Sequence, residues 1–293
     1  MASQPTFTVF AVAGGAGSLG RFVTLALQGQ GAKVSVLSRN AVDIPSGASL
    51  SIVDYTSMES LVSALSDVEV VVSVLSGPGM AAQPLLAKAA KAAGVKHFVP
   101  SEYGMRTGDL PTDSLLSVFA DKVAMHELLR QLELPYTLYY VGVFSDWFFI
   151  PLFGFDFDKR KITIVGPGTT PVSWTSRRDI AYFIAYTLTH VPAAQLANRE
   201  LNVEGEELSF NEVVNILEGA RGETYEIVHR NVNDVQRSIE SERGRMALVA
   251  PDFILLAAHK GYLHSGVNDN DLVPAWQPQP VQEVVKDMFQ HEG

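Results

Sequence analysis

Short apolar runs alternate with amphipathic stretches through the first half of the chain. Residues 7–13 form an apolar run that ends at Gly14-Gly15, the mark of a strand covered on both faces. Residues 18–28 repeat apolar positions at helical spacing. Residues 33–37, 50–53, 68–74, 97–99 and 135–143 predict further strands, the fourth of these runs being nearly all valine between 68 and 74 if the first run is counted. Between them lie a short helix opening at Ser57, an Ala-rich helix over 80–93 stopped by Gly94, and a long helix over 115–132. Strands alternating with helices in this way imply a parallel sheet with helices on both faces.

Beyond Val143 the pattern changes. Residues 144–157 are dense in aromatics and carry Pro151 and Gly154. Residues 161–165 and 172–174 read as short strands around Gly166-Pro167-Gly168. A helix follows over 178–189 with Asp179 in its first turn, and Ser209-Phe210-Asn211-Glu212 resembles a capping box. The predicted fold class is α/β: a doubly wound parallel Rossmann-type sheet with a smaller C-terminal α/β domain. The expected division is 1–150 for dinucleotide binding and 151–293 for substrate, with some later elements packing back on the sheet.

Composition narrows the function. The 293 residues carry a formal net charge of −10, which argues against nucleic acid, since a phosphate backbone recruits Lys and Arg. An anionic cofactor is not excluded, because it needs only a local patch and backbone N–H groups. The chain has 0 cysteines, so disulfides, thiolate nucleophiles, Cys-ligated zinc and iron–sulfur clusters are ruled out, and no metal is expected. Without a segment of about 18 apolar residues, no membrane span is expected. The expectation is a soluble, cytoplasmic protein.

Glycines Gly14, Gly17 and Gly20, with Ser18 and Leu19, sit between the first strand and the first helix. Glycine is required there where the backbone turns, where a pyrophosphate approaches and where helix packs on strand. The helix that follows aims its N–H groups at phosphate. Strand two ends at Arg39, where an acid would hold the ribose hydroxyls of NAD. A guanidinium there suits a 2′-phosphate, so the expected cofactor is NADP(H); a solvated surface Arg is the plainer alternative.

The long helix carries an anomaly. Leu115, Val118, Phe119, Lys122, Met125, His126 and Leu129 share one face, with Lys122 near the middle of an apolar stripe. Val118 stands four residues before it, so the Tyr-x-x-x-Lys pair of classical short-chain dehydrogenases is missing. A Lys aimed inward needs a partner or a function, unless its ammonium snorkels to solvent. His126, one turn on, reads as a satisfied core or groove histidine.

These residues bring a family into view. Gly14 to Gly20, the stretch His97-Phe98-Val99-Pro100-Ser101-Glu102-Tyr103-Gly104, helix-borne Lys122, Leu134-Pro135-Tyr136-Thr137 and Arg178-Asp179-Ile180 resemble the isoflavone reductase-like branch of the NmrA-like atypical short-chain dehydrogenases. The resemblance runs through nearly the whole chain. It implies that Lys122 reaches the nicotinamide ribose and the reacting centre, acting as the catalytic residue. Ser73, Leu75 and Ser76 would line the ribose and phosphate side of the cofactor. Pro100, Ser101, Glu102 and Tyr103 would lie beside the nicotinamide. Both stretches also read as ordinary βα turns.

Phe144, Trp147, Phe148 and Phe153, with Tyr103, form the expected substrate wall, suited to a planar apolar molecule. Domain-interface core is the competing reading for these aromatics. The expected activity is hydride transfer from NADPH to an aromatic or enone-type substrate, with a homodimer as the expected assembly. Two other readings stay open: an NADP(H)-sensing regulator without turnover, and a cyclase or isomerase on the same fold.

Overall fold

The computed structural model describes residues 6–110, 117–242, 245–274 and 276–290. Its first half runs β1 (Val9–Ala13), α1 (Ser18–Gly29), β2 (Lys33–Ser38), β3 (Ser49–Ile52), α2 (Met58–Ala64), β4 (Val70–Ser73), α3 (Gln83–Ala92), β5 (His97–Val99), α4 (Ser117–Gln131) and β6 (Thr137–Tyr140). The first five strands pair in the order β3-β2-β1-β4-β5, and every pairing is parallel. Helices α1, α2 and α3 carry the crossovers from β1 to β2, β3 to β4 and β4 to β5, whereas a loop without a helix joins β2 to β3. At the centre, Val70, Val71 and Val72 are wholly buried because helices cover both faces. At the β3 edge, Ile52 is exposed.

The second half continues with β7 (Val143–Phe144), β8 (Phe155–Asp156), β9 (Lys161–Val165), β10 (Pro171–Thr175), α5 (Arg177–His190), α6 (Ala193–Leu196), β11 (Arg199–Asn202) and β12 (Glu206–Ser209). Then come α7 (Phe210–Arg221), β13 (Glu226–Arg230), α8 (Val232–Ser241), α9 (Met246–His259) and α10 (Val281–Gln290). A parallel bridge between Phe98 and Tyr136 joins β6 to β5, and β11 pairs parallel with β6. Among the described residues, two small mixed sheets follow, β12-β10-β7 and β13-β9-β8. The Ser209–Glu212 capping box opens α7, as its sequence implied.

Two predicted elements divide. The helix expected over 80–93 is a 3₁₀ segment, Gly77–Ala82, followed by α3, which carries Pro84 in its first turn. Proline lacks the N–H needed inside a helix but fits its start, so α3 begins beside it. The strand expected over 135–143 is cut at Gly142, whose φ is +69°. A Cβ there would lie 2.0 Å from the Ser173 carbonyl oxygen. This close crossing carries the chain off the first sheet and into β7, the start of the second.

Alternation sets the two faces of the large sheet. Phe10, Val12, Val72 and Tyr139 pack on one side with α1 and with Ile180, Phe183 and Leu188 of α5. Ala11, Val71, Phe98 and Tyr140 pack on the other with Leu86 of α3 and Met125 and Leu129 of α4. Tyr139 and Tyr140 therefore face opposite sides, as a period of two requires. Helix α5 thus returns from the second half to the first sheet. A third core, with Phe148, Phe155, Trp174, Phe210 and Phe253, lies under the small sheets.

Candidate functional site

The loop after β1 is shaped for close backbone contact. Gly14 has φ +84°, and a Cβ there would meet the Val74 carbonyl oxygen at 2.9 Å. A Cβ on Gly20 would lie 2.1 Å from the Gly14 oxygen, so α1 packs directly on the turn. Gly17 occupies the N-cap without a side-chain cap, and its N–H donates to the Gly14 oxygen at 2.9 Å. First-turn N–H groups of a helix have no intrahelical acceptor, which leaves those of Ser18, Leu19 and Gly20 directed outward at the carboxyl end of the sheet. Leu19 itself is buried.

Arg39 is exposed just past β2. Burial pushes the neighbouring Tyr55 phenol up to about 12, while the Arg39 charge pulls it the other way. Arg21 of α1 reaches the same loop, 3.0 Å from Asp43.

The turns after β4 and β5 brace one another. Ser73 and Ser101 share a buried hydroxyl contact of 3.0 Å, and the Ser101 N–H donates to Gln83 at 2.9 Å. Tyr103 donates its hydroxyl to the Ser73 carbonyl at 3.0 Å. Burial and the nearby Glu102 charge hold that phenol well above its ordinary range, so it serves as a strut rather than as an acid. Its backbone stands at φ +43°, an unusual conformation for a bulky residue and one that clusters at functional sites. Pro100 and Ser101 are buried, Leu75 is half-buried, and Ser76 is exposed. Glu102 turns inward: its side chain is 1% exposed and its carboxylate faces His126 at 2.6 Å.

Lys122 lies on the inward face of α4 among Phe119, Met125, His126 and Leu129, all of them buried. The side chains of Leu115 and Val118, named on the same stripe, lie outside the described residues. The Lys122 side chain is 14% exposed, and Nζ donates to the Glu102 carbonyl at 2.6 Å. Lys122 lines a cavity of about 180 Å³ together with Tyr103, Phe119, Phe144, Trp147, Phe148 and Phe153 among others. All the expected substrate-wall residues are therefore brought together around Lys122. The aromatic segment also feeds the core, since Phe148 stacks on Phe153 at 4.4 Å and Phe149 stacks on Trp174 at 5.5 Å. One stretch supplies both pocket and packing because its side chains point both ways.

Sequence reading missed several parts. Met105, Ile254 and Leu263 also line the cavity, from segments far apart in the chain. Arg177, the first residue of α5, donates to Ser18 Oγ at 2.5 Å and pairs with Asp146 at 3.0 Å. Its guanidinium also lies over Phe22 of α1. The Ser176 cap followed by two arginines was the available signal, although nothing local told which of them turns toward the glycine loop. Among the described residues, Glu204, Glu207 and His264 have donor atoms close enough to share a metal ion. His264 Nδ1 already faces Glu204 at 3.1 Å and Nε2 faces Glu207 at 3.4 Å. No helix among the described residues is long and apolar enough to cross a membrane.

Comparison with known proteins agrees with this layout. An isoflavone reductase homolog A622-like protein of Nicotiana tabacum is 31% identical over 202 residues, 66% of this chain and 64% of that protein. The match thus spans somewhat under two thirds of that relative's length. Eugenol synthase 1 of Petunia hybrida is 30% identical over 237 residues, 74% of this chain and 76% of that protein. The solved structure of AtPrR2 with NADP+ and (+)pinoresinol superposes with a TM-score of 0.81 at 26% identity, covering 96% of this chain and 98% of the other. The NmrA-like family model matches residues 7–270. With a match of that extent joined to a glycine-lined β1–α1 turn, this chain belongs to the NmrA-like family.

Proposed function

We propose that the chain is an NADPH-dependent reductase of a small apolar substrate, aromatic or enone-type, with Lys122 assisting hydride transfer. The observation that carries this reading is Lys122 lining an aromatic cavity beside the β5 turn, its Nζ held by the Glu102 carbonyl. The glycine loop fits a dinucleotide: its packing excludes side chains and leaves first-turn N–H groups for the pyrophosphate. Gly14, Gly17, Ser18, Leu19 and Gly20 would hold that group, and Arg39 the 2′-phosphate. The backbone of Leu75–Ser76 and of Pro100–Tyr103 would flank the ribose and nicotinamide. The solved relative with NADP+ and (+)pinoresinol supports both the cofactor and an aromatic substrate class.

When bound, the reduced nicotinamide supplies a hydride to an electrophilic carbon of the substrate. This chain's residues do the rest. The aromatic wall orients the planar molecule and excludes water. Lys122 Nζ donates a hydrogen bond to the developing anion and then its proton, and solvent restores that proton. Two electrons and two protons' worth of hydrogen thus enter the substrate as hydride and proton.

Lys122→Ala tests this assignment. NADP+ affinity should stay within about threefold, whereas turnover of phenylpropanoid-type substrates, followed at the nicotinamide band, should fall by about 10²–10⁴. Normal turnover in that variant would remove Lys122 from the mechanism. A regulator without turnover would leave the band unchanged even with the unsubstituted protein.

A further inference from the structure

Three elements converge on one buried carboxylate beneath Lys122. Glu102 follows β5, Thr107 lies on the short turn Thr107–Asp109, and His126 sits one helical turn beyond Lys122 on α4. His126 Nε2 stands 2.6 Å from Glu102 Oε1, and Thr107 Oγ1 donates to Oε2 at 3.2 Å. The Glu102 and His126 side chains are 1% and 4% exposed, so water does little of the work of holding them. Lys122 Nζ, by contrast, is 2.6 Å from the Glu102 carbonyl oxygen but 3.6 Å from its carboxylate. A free ammonium and carboxylate would close to about 2.8 Å. Here the carboxylate oxygens already have donors, so the countercharge is close while the ion pair stays open.

We propose that Glu102 and His126 are positioning residues for Lys122. The buried carboxylate places a countercharge beside the lysine in an apolar pocket. His126, with Thr107, pins that carboxylate so that it does not capture the ammonium, which leaves N–H groups of Lys122 facing the cavity. His126 acts through Glu102 and not on Lys122 directly. The role rests on the reading of Lys122 as the group that meets substrate; the placement needs no cofactor.

The other titratable groups facing this carboxylate do not compete for it. Tyr103 and Tyr140 both feel the Glu102 charge, and burial keeps each phenol protonated. Beyond Tyr140, Arg106 is taken up by Asp109 and Glu200 at 2.8 and 2.7 Å.

The test is titration of the lysine side-chain methylenes by NMR in the full chain labelled with ¹³C-lysine. The Lys122 signal is assigned by its loss in Lys122→Arg. Glu102→Gln should lower the Lys122 midpoint by about one to three pH units, the effect of removing a close opposite charge. His126→Gln, which retains an N–H donor, should leave the midpoint close to that of the unsubstituted protein. His126→Leu, which has none, should raise it as the carboxylate turns onto the ammonium, and should do nothing further once Glu102→Gln is present. An unmoved midpoint in Glu102→Gln would overturn the proposal. So would an effect of His126→Leu that is the same with and without Glu102. Should His126→Leu fail to fold, Glu102→Gln and His126→Gln still decide the matter, with Lys33 and Lys91 signals reporting an intact fold. Because neither cofactor nor substrate is present, failure here leaves the reductase reading standing, and loss of that reading leaves this result unaffected.

Discussion

On the proposed reading, Arg39 is the residue that meets the cofactor's 2′-phosphate. It stands immediately past β2, exposed, beside a Tyr55 hydroxyl that donates to the Leu37 carbonyl at 3.2 Å. A carboxylate at this point would accept from ribose hydroxyls and repel a 2′-phosphate; a guanidinium reverses both effects. Arg39→Ala should therefore weaken NADP+ binding by about 10- to 100-fold, the worth of a hydrogen bond to a charged group, and leave NAD+ binding nearly unchanged. Calorimetric titration of both cofactors measures it, and equal weakening of the two would show that Arg39 does not read the phosphate. Arg39, the glycines and Lys122 were legible in the sequence because each is marked by its position in a single turn or helix. Glu102 was not. The resemblance implies only a turn beside the nicotinamide, whereas the structure shows its carboxylate held by His126 and Thr107. The helix pattern made His126 a satisfied histidine, and no local periodicity could name its partner.

At the scale of elements, the placement of α5 matters most. Helices α1 and α5 lie on the same face of the sheet, and Arg177 at the start of α5 touches Ser18 and Phe22 in the first turns of α1. Both helices thus bring their N-terminal ends to the glycine loop, where their dipoles favour an anion. Arg177 also holds Asp146, which lies between Phe144 and Trp147 of the cavity wall. One guanidinium therefore ties the glycine loop to the cavity wall. Arg177→Ala should weaken NADP+ binding about tenfold, consistent with loss of one charge-assisted contact, and should also raise KM for substrate by releasing Asp146. An unchanged Kd for NADP+, read by fluorescence titration, would confine Arg177 to packing. The order of strands and helices through β6 was readable from alternating periods alone. Of the pieces that were misjudged, the split helix has a local cause in Pro84, while the cut strand follows from a contact between distant elements: Gly142 marks a crossing with β10, and only the position of Ser173 shows why the strand must end there.

The molecule as a whole is joined where β5 meets β6. There the sheet is continued by the Phe98–Tyr136 bridge and by the Phe98 N–H donating to Pro135 at 2.8 Å. His97 sits at this joint, 1% exposed, its ring 5.6 Å from that of Phe7. Its Nε2 lies 2.8 Å from Thr137 Oγ1, which gives its own proton to the Leu196 carbonyl at 2.8 Å. Thr137 must then accept, so the His97 Nε2 carries a hydrogen. Burial drives the His97 pKa down to about 4. In the unfolded chain a histidine titrates near about 6.5, so between these values the unfolded state binds the extra proton. The His97 contribution is therefore fully present above about pH 6.5 and is lost as pH falls through about 4, by about 3 kcal/mol in all. Glu69 adds a separate window. Burial raises its carboxyl, but hydrogen bonds from Lys96, Thr8 and Val9 outweigh that and bring it to about 2, so its contribution is lost only below about pH 4.5. Denaturant unfolding should accordingly show a falling midpoint between pH 6.5 and 4 that flattens in His97→Gln, whose amide N–H can still donate to Thr137. A slope unchanged by that substitution would mean the imidazole at the joint does not govern acid sensitivity. If the slope does flatten, the loss also reaches function, because β5 and β6 hold the turn that carries Glu102 and, through it, the ammonium of Lys122.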